Sequence, residues 1–186
     1  MKNHLSFLLI FATIVMYSCG TSTSSEEIAI DTADTLLSPA LEQKAPVENW
    51  SYWEDIDKMT SKSVYHAQVN AKEELQFEFP YQGGAVASIY IRNKDNKNEV
   101  VLMVSKGQFN GSIEGQAIRV RFDEGSPITY NCNPSSDSDP KFLFIQSTKG
   151  FITKLRSARK AIVEAEFYNE GLRQMEFVVD GLKWSH

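Results

Sequence analysis

The feature that most narrows the fold is a succession of short apolar runs, several strictly alternating, joined by turn-rich segments too short to hold a helix. Leu75-Gln76-Phe77-Glu78-Phe79 alternates and places Leu75, Phe77 and Phe79 on one face of a strand. Pro80, Gly83 and Gly84 then supply turn chemistry. Residues 86–92 (VASIYIR) and 99–105 (EVVLMVS) flank the polar segment 93–98 and read as a hairpin. After a Gly-bearing connection, 117–123 (AIRVRFD) alternates again, and His66 sits mid-strand in Val64-Tyr65-His66-Ala67-Gln68. Residues 131–140 (NCNPSSDSDP) read as the clearest loop, and 142–146 as a short buried strand. Phe151, Ile152 and Leu155 recur at helical spacing, which predicts one short helix near 148–158. Residues 162–168 and 174–180 close the pattern around a Gly-bearing turn at 169–172. The expectation is a mainly β domain: an antiparallel sandwich or barrel of about eight strands with one short helix. No helix-length segment separates the strands, which argues against a parallel βαβ sheet. A domain spanning 49–186 is long enough to bury roughly two-thirds of its unfolded surface.

The N-terminus has a different character. Lys2 precedes an apolar run, LSFLLIFATIVMY, that is too short to span a bilayer of about 20 residues, so 1–18 reads as an export signal. The run ends in Ser18-Cys19, a small residue directly before a Cys. This resembles the lipobox of bacterial lipoproteins. The resemblance implies that Cys19 becomes the first residue of the mature chain and carries lipid chains such as palmitate. The Ser-rich stretch ending in Glu26-Glu27 also resembles the surface-export signal of lipoproteins in one group of Gram-negative bacteria. Together these imply a cell-envelope protein anchored to the outer membrane by lipid, on its periplasmic side or at the surface.

Residues 19–48 show no apolar periodicity. They carry six acids (Glu26, Glu27, Asp31, Asp34, Glu42, Glu48) against Lys44, a balance of −5, while 49–186 is nearly neutral at −1. Such a segment buries too little surface to offset its ordering entropy, so it reads as a flexible acidic tether.

Composition removes several function classes. A net charge of −5 lacks the basic footprint of a nucleic-acid binder. With Cys19 in the anchor, Cys132 has no disulfide partner, and it reads as a loop residue packed like a small apolar side chain. His4, His66 and His186 are isolated in sequence, so no metal site and no cofactor are expected. Asp137-Ser138-Asp139 offers hard oxygen ligands but lacks the Gly and the bidentate Glu of an EF-hand loop, and a solvated acidic loop is the preferred reading. There is no G-x-S-x-G motif and no phosphate-binding loop.

Three features remain as candidates for function. Trp50 and Trp53 open the domain and Trp184 closes it; with Tyr130 they are candidates for a stacking surface. The plainer reading is that the chain ends meet and the Trp residues plug a sheet edge. Asp123, Glu164 and Glu166 are the candidate acidic site of a hydrolase, with Glu164 and Glu166 on one strand face. Cross-strand pairing with Arg119 and Arg121 accounts for the same charges without catalysis. The segment 131–140 is the element an inhibitor or assembly factor would insert into a target.

The order Phe79-Pro80-Tyr81, Ile91-Arg92, Lys106-Gly107-Gln108-Phe109, Val120-Arg121-Phe122-Asp123, Phe142-Leu143-Phe144 and Gly181-Leu182 is similar to small exported β-domains such as accessory proteins of type VI secretion. That resemblance implies a β-sandwich and no particular activity. The combined expectation is a lipid-anchored, non-catalytic domain that binds an envelope protein, peptide or glycan.

Overall fold

The structure is a computed structural model that describes residues 48–110 and 115–186. The export signal, Cys19 and the tether up to residue 47 lie outside the described residues. The elements run β1 (Trp50–Ile56), β2 (Ser63–Asn70), β3 (Ala87–Lys94), β4 (Lys97–Val104), β5 (Gln116–Phe122), β6 (Ile128–Pro134), β7 (Phe142–Ile145), α1 (Thr148–Ser157), β8 (Lys160–Phe167) and β9 (Gly171–Val178). All nine strands join one antiparallel sheet in the order β1-β2-β3-β4-β7-β6-β5-β8-β9. The mainly β class and the single short helix are as the sequence predicts.

The sheet curls until its far strand returns to the start. Ala71, just beyond β2, bridges Phe177 in β9, and the Lys72 N–H donates to the Glu176 carbonyl at 2.8 Å. β2 through β9 thus form a barrel-like wall, and β1 continues the sheet past the seam as an edge strand. Alternation supplies the interior: Ala87, Ile89 and Ile91 of β3 point inward, as do Val100, Leu102 and Val104 of β4 and Ile118, Val120 and Phe122 of β5.

Two aromatic clusters close opposite ends of this interior. Phe151 of α1 is fully buried and meets the edges of Phe122 and Tyr130 at ring-centre distances of 5.6 and 4.9 Å. Burying one such ring contributes about 1.5–3 kcal/mol. Toward the other end of β8, Phe167 packs on Phe77 and Phe109 at 5.1 and 4.7 Å. Phe122 lies across from Ala161, six residues before Phe167, so the clusters are about 20 Å apart along the strand.

Several local expectations are corrected. Residues 75–79 form no ladder strand: Leu75 makes a single bridge to Ala85, Phe77 packs inside, and Phe79 is 80% exposed beside a cis Phe79–Pro80 bond. The first half of 131–140 is not loop but the end of β6, in which Ile128, Tyr130 and Cys132 face inward while Thr129, Asn131 and Asn133 face out. Its outward Asn residues resemble turn chemistry in the sequence. Cys132 is therefore a buried strand residue, 3% exposed, with its Sγ 3.9 Å from the Tyr130 carbonyl oxygen. Gly115 precedes β5 at φ +83°, where an added Cβ would collide with the Cys132 carbonyl oxygen. Only glycine lets the two segments approach there.

Candidate functional site

The side chains that alternate with the core make up the outer surface, and on one part of it they are not the expected polar set. The cross-strand register aligns Trp53, His66, Arg92 and Glu99 in one outward row. Gln68, Tyr90, Val101 and Phe144 form the next, and Ser88, Met103 and Phe142 the one after. Val101, Met103, Phe142 and Phe144 thus put apolar groups on the solvent side of β4 and β7.

The aromatic side chains at the β1 end are stacked. Trp53 lies over His66 with ring centres 5.0 Å apart and planes 7° from parallel, and Tyr90 stacks on both at 5.9 and 5.8 Å. His66 is 8% exposed, whereas Trp53 is 40% exposed. The His66 Nδ1 is 2.6 Å from the Tyr90 hydroxyl, and its Nε2 is 3.3 Å from an Asp55 carboxylate oxygen. Burial holds the His66 pKa below its ordinary value; Asp55 opposes that shift and Arg92 adds to it. The neutral ring then accepts the Tyr90 proton donor at Nδ1 and carries its own proton at Nε2, facing Asp55. Burial also pushes the Tyr90 phenol up, so Tyr90 remains a neutral hydroxyl.

Two hollows adjoin this stack. One, of about 390 Å³, is lined by Trp53, Tyr90, Val101, Met103, Phe142 and Phe144, with Gln68, Arg92 and Ser135 at its margin. The other, of about 440 Å³, lies between Arg92, Glu99, Asn133, Ser136, Gln146 and Thr148. They share Arg92 and Phe144, which makes them two parts of one groove across the strands, the first mainly apolar and the second lined by polar and apolar side chains alike. Arg92 is held by Glu99 through its Nε at 2.8 Å and through Nη2. The β6–β7 loop forms one wall. It is braced internally, since Asp137 accepts from Ser135 and from the Asp139 N–H, and Asp139 from the Lys141 N–H.

Of the four aromatic residues singled out in the sequence only Trp53 belongs to this groove, while the segment 131–140 contributes Asn133, Ser135 and Ser136 to its lining. Trp50 is buried and donates its indole N–H to the Val179 carbonyl at 2.9 Å. Trp184 is buried and donates to Asn98 Oδ1 at 3.1 Å, and Tyr130 is a core residue against Phe151. These three present no stacking surface.

The candidate acidic residues do not assemble. Asp123 follows β5 with φ +47°, and its Oδ1 accepts the Arg159 and Lys160 N–H groups, both at 2.9 Å. It braces the start of β8 rather than pairing with Arg121. Glu164 pairs with Arg119 at 3.0 Å and accepts from Gln174 at 2.9 Å. In the β5–β8 register Asp123 stands about four residues, or 13 Å, from Glu164, farther than the roughly 5–9.5 Å between glycosidase carboxylates. Glu166 is exposed two residues beyond Glu164 on the same face. Among the described residues, no group of three or more His, Cys, Asp or Glu is placed to hold a metal ion.

The sequence did carry a signal for the groove. Runs 99–105 and 142–146 are apolar at consecutive positions, which in a half-solvated antiparallel sheet leaves apolar side chains on the outer face.

The fold and groove define a small β-barrel-like domain with an aromatic-lined surface cleft. No family model and no curated protein matches the chain. Among solved structures it is similar to invasion associated protein B from Bartonella henselae, at 15% identity and a TM-score of 0.44, covering 72% of this chain and 84% of that one.

Proposed function

We propose that this chain is a lipid-anchored envelope protein whose β-domain is a binding module acting through the groove between Trp53 and Gln146. The observation that carries the binding reading is the groove: part-exposed Met103, Phe142 and Phe144 on the outer face of the sheet, beside a 40% exposed Trp53 whose ring is already fixed. Exposed apolar surface of this kind costs stability in water, and contiguous patches mark interaction sites. The anchor rests on Ser18-Cys19 at the end of the export segment. One acyl chain binds a membrane marginally and two or more bind it stably, so a multiply acylated Cys19 holds the chain permanently. The acidic tether gives the domain reach from the bilayer. Among the described residues no helix is long and apolar enough to cross a membrane.

Two measurements test this. Mass spectrometry of the native protein should find an acylated N-terminal peptide beginning at Cys19, and Cys19→Ala should release the protein from membranes. A mature chain starting elsewhere, without acyl groups, refutes the anchor. The Cys19→Ala protein should bind isolated envelopes, and adding Trp53→Ala with Phe142→Ala should lower the bound fraction at least about tenfold while the melting curve stays cooperative. Unchanged binding by that folded variant refutes the groove.

A further inference from the structure

We infer that the groove is a glycan site that receives a neutral polysaccharide chain lying across the strands. This rests on the binding-module reading and specifies its ligand class.

Backbone pairing comes first. Beneath the groove β1, β2, β3, β4, β7 and β6 are consecutive, hydrogen-bonded neighbours. From β2 to β6 the ladder is occupied on both sides and only β1, at the groove's end, is an edge strand, so a ligand lying across the strands meets side chains. From β1 to β6 is five strand spacings, about 24 Å, which suits an extended polymer rather than a single small molecule.

The aromatic end is a plate. His66 and Tyr90 both stack against the Trp53 ring, at 5.0 and 5.9 Å, and hold it in place while Trp53 stays 40% exposed to a ligand. The Tyr90 hydroxyl is committed to His66, so its ring presents an apolar body with its polar end already satisfied. A fixed flat apolar surface matches the C–H face of a pyranose ring, and fixing it in advance spares the entropy of ordering a Trp side chain on binding.

Charge then separates ligand classes. Among the described residues the one cation that both hollows share is Arg92, and Glu99 from the neighbouring strand holds it. A phosphate or an acidic peptide would need that guanidinium free for a forked, charge-assisted contact. The pair as it stands favours an uncharged partner.

The polar end supplies groups that both donate and accept. The Gln146 amide donates to Asn133 Oδ1 at 2.7 Å, which leaves Gln146 Oε1 as an acceptor and the Asn133 amide as a donor. Ser136 adds a hydroxyl, and Thr148, whose hydroxyl donates to the Ile145 carbonyl at 3.1 Å, adds an acceptor. A sugar hydroxyl is likewise donor and acceptor at once, and vicinal hydroxyls match paired amides of this kind.

The experiment uses the exported Cys19→Ala protein and isolated envelopes divided into periodate-treated, protease-treated and untreated portions. Periodate cleaves vicinal diols and destroys glycan ligands. Loss of at least about tenfold in bound protein after periodate supports the proposal, with or without loss to protease, as does binding that changes less than about twofold between low and high salt. Gln146→Ala and Trp53→Ala should each weaken the periodate-sensitive binding. Loss to protease with full retention after periodate overturns the glycan and identifies a protein partner, leaving the binding module intact. A steep decline with salt overturns the neutrality of the ligand. Binding that the groove variants leave unchanged overturns both this proposal and the reading it rests on.

Discussion

The indole N–H of Trp50 donates to the Val179 carbonyl at 2.9 Å, tying the first strand of the domain to the residue after the last. This bond sits beside the seam where Ala71 bridges Phe177. Trp50→Ala removes a buried ring and leaves a cavity at the seam, and should cost about 3–5 kcal/mol in urea unfolding. Trp50→Phe keeps most of the ring and loses the hydrogen bond, and should cost only about 1–2 kcal/mol.

His66 makes stability depend on pH in the mildly acidic range. Its folded pKa lies below the unfolded value of about 6.5, with burial as the main cause. Between those two values the unfolded chain holds more protons, so stability rises with pH through that window and falls as acid is added. Below the folded pKa the loss is complete. His66→Gln should flatten this slope, and Asp55→Asn, which removes the opposing carboxylate, should move the His66 titration to still lower pH in an NMR experiment.

Cys132 titrates at the other extreme. Burial pushes its thiol up to about 12 from the ordinary 9.0. The thiolate is the reactive form, so the folded protein should resist thiol reagents at neutral pH and react once denatured. Above pH 9 the unfolded chain loses this proton while the folded one keeps it, so stability should decline as pH rises toward 12. A variant with Cys132→Ala should lose that alkaline slope.

Asp123 and Glu164 are both acids near the β5–β8 pair, and they should respond differently. Asp123→Ala frees two backbone N–H groups at the start of β8 and should cost about 1–2 kcal/mol. Glu164→Gln breaks an ion pair whose Arg119 side chain is 60% exposed and should change stability by less than about 1 kcal/mol. Thermal melts of the two variants distinguish a carboxylate that braces the backbone from one that pairs with an exposed Arg.

Much of the wall was legible because strand faces follow from a local period of two. In 86–92 the alternation of Ala87, Ile89 and Ile91 with Ser88, Tyr90 and Arg92 already separates inside from outside. The helix was legible for the same kind of reason, since Phe151, Ile152 and Leu155 recur at its own period. β6 was partly hidden because its outward Asn131 and Asn133 are also turn formers. β1 was hidden because an edge strand buries little: in Trp50–Ile56 only Trp50 is buried.

Local patterning set the class of fold, the single helix and most of the residues that face the core, because those depend on neighbours a few positions apart. Tertiary structure alone decided the strand order β4-β7-β6-β5, the seam between Ala71 and Phe177, and the groove. Trp53, Tyr90 and Phe144 come from three strands distant in the chain, and no local pattern carries which strand will pair with which. Trp50 and Trp53, three positions apart on β1, fall on opposite faces by alternation alone, but only the pairing of β1 with β2 decides that Trp50 completes the interior and Trp53 lies beside the groove.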